Sequence, residues 1–189
     1  LHGEDEYLNE IYGNTVSNAT AGAGIGVGNT GATHDKAGPY NYIHDNTIIN
    51  CREGIKVYMG SPDTIIENNI IKDSTVQSGR GIYLLHAPGT VVRNNQIYNN
   101  KGKDFWGIVL EYDPGATSGK ITGIGAGEPE NVLIVNNRIY ANANGVKISE
   151  GKNITLEGNE ITKNDKRDML DVRAVKFKDI SRHWSKSMV

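Results

Sequence analysis

The sequence predicts an all-β fold, a single-stranded right-handed parallel β-helix (a solenoid) of about six to seven rungs. Three observations predict it. Six segments share the form aliphatic-x-x-Asn-x-aliphatic, with anchor asparagines Asn14, Asn46, Asn69, Asn95, Asn137 and Asn159 at intervals of 32, 23, 26, 42 and 22 residues. A short strand opened by glycine follows five of them. The composition agrees: 21 Asn, 21 Ile and 23 Gly stand against 8 Leu and 11 Ala in 189 residues. Asn and Gly oppose helices and Ile prefers strands, which excludes a helical bundle.

The rungs follow in order. The first two strands of each are the flanks of the repeat: Ile11–Val16, Ile43–Ile48, Ile66–Ile71, Val92–Ile97, Ile134–Ile139 and Leu156–Ile161. All twelve flanking residues are aliphatic and eleven are β-branched, so stacked rungs place each over its counterpart in an interior column. Rungs stack at roughly 4.8 Å, the strand spacing. The third strands are Gly24-Ile25-Gly26-Val27, Gly54-Ile55-Lys56-Val57, Gly81-Ile82-Tyr83-Leu84, Gly107-Ile108-Val109-Leu110 and Gly145-Val146-Lys147-Ile148. Their apolar members alternate at period two, as half-buried strands do. Each anchor Asn is expected to turn a corner at φ > 0 and to hydrogen-bond along a ladder to neighbouring rungs. Met169 to Val175 reads as a last strand or a linker, after a charged bend at 165–168.

The wide intervals carry insertions at Gly28 to Asn41 and Tyr112 to Glu130, both after the glycine-opened strand. On its other side, Asp73 to Arg80 and Asn99 to Trp106 are longer than Asn50 to Glu53. That strand is thus walled on both sides, and insertions gathered on one face mark a binding face. If Ile55 and Val57 point inward, the outer face carries Lys56, Tyr58, Tyr83, Leu85, Val109, Glu111, Lys147 and Ser149. His86 follows at the corner, and Trp106 enters from the flanking loop.

Other classes are excluded by charge and pattern. The formal net charge is −2 with no basic block, so no nucleic-acid footprint is expected. The longest apolar runs, such as 132–135, are too short for a membrane-spanning helix. The single Cys51 excludes an intramolecular disulfide framework and a Cys-rich zinc site, and is expected buried and inert. His34-Asp35 and His44-Asp45 lack a third spaced ligand, so no metal site is assigned. Calcium between Asp and Asn side chains suits such a scaffold, yet the Asp residues form no recognised loop. Glu67 and Arg93, in an outer column with Tyr12, His44, Val135 and Glu157, are expected to form a structural cross-rung pair.

The repeat of Asn14 to Asn159 and the glycine-opened strands resemble the pectate-lyase-like superfamily and its carbohydrate-active β-helix repeats, over about residues 7–175. The stretch at 24–31 is similar to disaggregatase-related proteins of methanogen surfaces. The superfamily resemblance implies a sugar chain lying along the glycine-opened strand. Lys56, Tyr58, Tyr83, Trp106 and Lys147 are then the substrate-binding candidates: aromatic rings offer flat apolar surfaces, and lysines pair with acidic sugars. Glu111 and Asp113 are candidate acid and base, and His86 a candidate proton shuttle. Hydrolysis by a carboxylate pair and elimination from a uronate both stay open. Asp113-Pro114-Gly115 departs from the Asp-Pro-His of the epimerases, against epimerisation. A non-catalytic glycan-binding, adhesive or spacer module is the alternative.

Residues 1–175 are thus read as the β-helix domain of a longer chain. Residues 176–189 carry Phe177, Asp179, Ile180, His183 and Trp184, which resemble the opening of a surface-layer homology module; a C-terminal cap is the other reading. The module implies an extracellular, cell-surface protein of a bacterial wall, whose remaining chain would bind cell-wall polymer.

Overall fold

A computed structural model describes residues 1, 7–28, 38–58, 60–113 and 128–173. Eighteen strands form three parallel six-stranded sheets, one strand of each sheet per rung. Sheet A contains β1 (Glu10–Tyr12), β4 (Tyr42–His44), β7 (Ile65–Glu67), β10 (Val91–Arg93), β13 (Leu133–Val135) and β16 (Thr155–Glu157). Sheet B contains β2 (Thr15–Ser17), β5 (Thr47–Ile49), β8 (Ile70–Lys72), β11 (Gln96–Tyr98), β14 (Arg138–Tyr140) and β17 (Glu160–Thr162). Sheet C contains β3 (Ala23–Val27), β6 (Glu53–Val57), β9 (Arg80–Leu85), β12 (Trp106–Glu111), β15 (Asn144–Ile148) and β18 (Arg167–Asp171). This is the predicted parallel β-helix, with six rungs. The last strand begins earlier than Met169, because Arg167 pairs with Asn144.

The interior columns follow the repeat. Ile43, Ile66, Val92 and Ile134 stack in register, as do Ile48, Ile71, Ile97 and Ile139. All are buried, while the end members Ile11, Val16, Leu156 and Ile161 are only partly covered. Full burial of one such side chain contributes about 1.5–3 kcal/mol before entropy.

The anchor asparagines do not take the corner conformation expected of them. Positive φ falls on the residue before each: Gly13, Asp45, Asn68, Asn94, Asn136 and Gly158. That division follows from hydrogen bonding. Each anchor N–H and Nδ2–H donates to the Oδ1 of the next anchor, from Asn14 to Asn46 through Asn137 to Asn159, at 2.9–3.1 Å. The preceding residue turns the chain so that the amide can face inward. A second ladder, absent from the sequence expectations, runs Ser74–Asn100–Asn142–Asn164 and ends on Asp168. Cys51 belongs to the same corner, since its carbonyl accepts from Ser74 Oγ. It is buried, and burial pushes its thiol pKa up.

The glycines of sheet C are required by close approach. A Cβ at Gly54 would lie 2.4 Å from Gly81 O and 2.7 Å from Ile71 Cγ2. One at Gly81 would lie 2.4 Å from Gly107 O and 2.8 Å from Ile97 Cγ2. These positions therefore face the core, immediately before Ile55 and Ile82, which face it too. The period-two alternation slips by one there, and Glu53 and Arg80 fall on the outer face.

Candidate functional site

The outer face of sheet C carries three columns. The first runs Ala23, Glu53, Arg80, Trp106, Asn144 and Arg167; the second runs Gly26, Lys56, Tyr83, Val109, Lys147 and Leu170. In the third, Glu111 lies beside Leu85. Trp106 is therefore a strand residue in register with Arg80, and not a visitor from the flanking loop. The face is also more enclosed than its polar content suggests. Tyr83, Leu85 and Val109 form a second apolar cluster, separate from the core, with Tyr58 and Trp106 packed against it.

Opposite charges on this face are in contact both within a rung and between rungs. Lys56 Nζ lies 3.2 Å from Glu53 Oε2, and Arg80 Nη1 lies 3.7 Å from Glu53 Oε1. Arg80 Nη2 donates to Glu111 Oε2 at 3.3 Å, and Lys147 Nζ donates to Glu111 Oε1 at 3.1 Å. The Tyr83 hydroxyl donates to Glu111 Oε2 at 2.9 Å. Aromatic faces complete the cation environment: Lys56 Nζ hydrogen-bonds Tyr58 and sits 3.7 Å above its ring, and the Arg80 guanidinium lies 4.2 Å from the Tyr83 ring centroid. Glu53 and Arg80 were missed because strict alternation from Ile55 and Ile82 puts them inside. The glycine between was the signal.

Electrostatics set the protonation states. Burial works to raise the Glu111 pKa, but the Lys147 hydrogen bond, the Arg80 charge and the Tyr83 hydroxyl outweigh it and hold it below the usual carboxylate value. Burial, joined by the Glu111 charge, pushes the Tyr83 phenol far above its ordinary value. Near neutral pH the pair is thus an ionised carboxylate and a neutral phenol.

Among the described residues, clefts open on this face at two places. One of about 210 Å³ is lined by Arg80, Trp106, Val109, Glu111 and Lys147, with Ser78, Gly79 and Asp104 as its wall. The wall comes from the two longer connections before the glycine-opened strands. These stack on each other, Ser78 N–H donating to Lys103 O at 2.7 Å, over the fully buried Phe105. The other cleft, of about 400 Å³, is lined by residues of the first rung (Ala21 to Ala23 and Gly26) and by Arg52, Glu53, Lys56 and Tyr58. Among the described residues, Ala23 Cβ is the one atom within 4 Å of where a Gly26 Cβ would be, at 3.7 Å.

The structure thus gathers Trp106, Glu111 and Lys147 at one cleft and Lys56 and Tyr58 at the other, while Tyr83 lines neither and reaches the first only through its hydrogen bond to Glu111. His86 and Asp113 line neither. His86 is fully buried, its Nε2 accepts the Asp113 backbone N–H at 3.2 Å, and Tyr112 packs edge-on at 4.9 Å. Among the described residues no group of three or more His, Cys, Asp or Glu is placed to hold a metal ion. His34-Asp35, most of both insertions and the segment 176–189 lie outside the described residues.

The profile of the right-handed β-helix region matches residues 5–170. The chain belongs to this β-helix family. Comparison with curated proteins and with solved structures returns no match. For a β-helix protein, membership describes the scaffold, and its chemistry must be argued from the sheet C face.

Proposed function

We propose that the chain binds a polysaccharide or oligosaccharide along the outer face of sheet C, and that the ligand carries acidic groups. The observation that carries this reading is the cleft in which Trp106 stands beside Arg80 and Lys147. An apolar ring and two cations, both only partly buried, suit a sugar ring bearing a carboxylate. Lys56 and Tyr58 extend the face toward the first rung. Binding exchanges the internal acceptor Glu111 for a ligand carboxylate, so affinity falls with added salt.

A second reading, cleavage, is favoured by Glu111. It is ionised, partly exposed and open to the cleft, which fits a base or a charge-stabilising carboxylate and not a general acid. Hydrolysis and elimination are both served by such a group. Asp113 and His86 line neither cleft and have no part in this reading. The surface-layer resemblance of Phe177 to Trp184 adds a setting: an extracellular or bacterial cell-surface protein held on cell-wall polymer by the rest of its chain.

The test is a panel of acidic and neutral polysaccharides, measured for binding and for release of reducing ends or unsaturated uronates. Acidic polymers are expected to bind. Trp106→Ala should weaken binding by roughly two- to tenfold, from about 0.5–1.5 kcal/mol of lost stacking. Turnover abolished in Glu111→Gln with binding retained supports cleavage. Binding unchanged in both Trp106→Ala and Lys147→Ala sinks the proposed face.

A further inference from the structure

On the outer face of sheet A, far in sequence from the cleft residues Trp106 and Glu111, a histidine sits between two carboxylates. His44 Nδ1 lies 2.6 Å from Asp45 Oδ2, and Nε2 lies 2.9 Å from Glu10 Oε1. The ring is sandwiched by Tyr12, at 5.2 Å and 3°, and Tyr42, at 4.0 Å and 25°. Ionised carboxylates only accept hydrogen bonds, and a neutral imidazole has one donor. Only the doubly protonated ring satisfies both contacts, and the tyrosine faces suit its charge.

Among the described residues, the groups around the ring come from β1, β4 and β7. From β1 come Glu10 and Tyr12; from β4 and its turn come Tyr42 and Asp45. Glu67 of β7 lies beside His44 in register, but its carboxylate is taken by Arg93 of β10 at 2.7 Å, by the Tyr42 hydroxyl at 2.7 Å and by Asn94 at 3.3 Å. Burial opposes the His44 charge; Asp45 and Glu10 outweigh it and hold the pKa above the ordinary imidazole value.

The Glu10 contact joins the first rung to the second. The first rung is one of the two weakly covered ends of the solenoid, with Ile11, Val16 and Ala19 only partly buried against the core. We propose that His44 is a pH-operated clasp: doubly protonated it ties β1 to β4, and neutral it keeps its one proton on Nδ1 for the nearer Asp45, loses the one on Nε2 to solvent, gives up Glu10 and loosens the first rung. Local opening of a poorly covered terminal unit is where a small coupling has the largest effect. The first rung also lines the larger cleft, so ligand binding there and His44 protonation should be linked. Only this consequence rests on the glycan reading; the clasp does not.

Amide hydrogen exchange on the whole chain tests it, compared at about pH 5.5 and about pH 8, on either side of the ordinary imidazole range, and corrected for intrinsic rates. Protection at 10–12 and 15–17 is expected to fall severalfold at the higher pH, with strands β7 to β12 unchanged. Glu10→Gln and His44→Gln should each abolish that pH dependence. Should His44→Gln fail to fold, Glu10→Gln and a titration of the His44 ring by NMR carry the test, because the ring's midpoint must coincide with the loss of protection. First-rung protection that is equal at both pH values, or that keeps its pH dependence in Glu10→Gln, overturns the proposal.

Discussion

Asn95→Ala is expected to be among the most destabilising single substitutions in the chain. The Asn95 amide donates to Ile66 O, Arg93 O and Asn137 Oδ1, each at 3.0 Å. Its Oδ1 accepts from Asn69 N at 2.9 Å and from Asn69 Nδ2 at 3.0 Å. The Nδ2 has two hydrogens shared among these three acceptors, so two bonds' worth at about 0.5–1.5 kcal/mol each is lost, and the buried Asn69 N–H is orphaned at about 1–3 kcal/mol. The sum is roughly 2–6 kcal/mol, a large part of the stability of an ordinary domain. Urea unfolding with an unchanged m-value measures it. Asn159→Ala is the internal control, because Asn159 closes the ladder in a partly exposed rung, donating to Ile134 O and accepting from Asn137. It should cost less, about 1–3 kcal/mol, because one donated bond is lost and the Asn137 N–H it leaves lies at the partly exposed end of the ladder. A cost below about 1 kcal/mol at Asn95, or equal costs at the two sites, refutes the ladder as a source of stability.

Other expectations follow from the same packing. Gly81→Ala forces a Cβ to within 2.4 Å of Gly107 O and should cost at least about 1–3 kcal/mol, whereas Gly26→Ala, whose Cβ would meet Ala23 Cβ at an ordinary 3.7 Å among the described residues, should cost far less; thermal melts of both variants check this. Ile97→Ala empties a fully buried column position and should cost about 2–5 kcal/mol by urea unfolding. Glu111 and Glu67 have lowered pKa values in the folded chain, so their contributions are present above the unfolded carboxylate value of about 4.3 and fall away as pH drops through the folded values. His44 has the opposite sign: its contribution is complete below about pH 6.5 and is lost as pH rises through its raised folded value. Stability measured against pH should therefore peak between these limits, and Glu111→Gln should flatten the acid side.

The scaffold was legible because its residues obey a linear rule. Ile43, Ile66 and Ile134 recur three places before an asparagine, and that spacing alone stacks them. The anchor ladder was legible for the same reason, although its asparagines bond and the residues before them turn. The second ladder was hidden because Cys51 and Ser74 stand where later rungs carry Asn100 and Asn142; only a five-residue offset from the anchors links them. On the outer face, Tyr83, Glu111 and Lys147 followed from alternation counted from Ile82, Ile108 and Val146. Glu53 and Arg80 did not, since Gly54 and Gly81 each add an inward position that period-two counting does not contain. Nothing in spacing reports that His86 gives its Nε2 to a backbone N–H, which is a tertiary fact.

Titration of isotopically labelled protein with acidic oligosaccharides, followed by NMR, addresses the sheet C face as a whole. The indole N–H of Trp106 and the side chains of Arg80, Lys147 and Lys56 should shift together and saturably, with strands of sheets A and B unmoved. Shifts confined to sheets A or B, or none with any acidic or neutral oligosaccharide, would contradict a glycan-binding face built on sheet C.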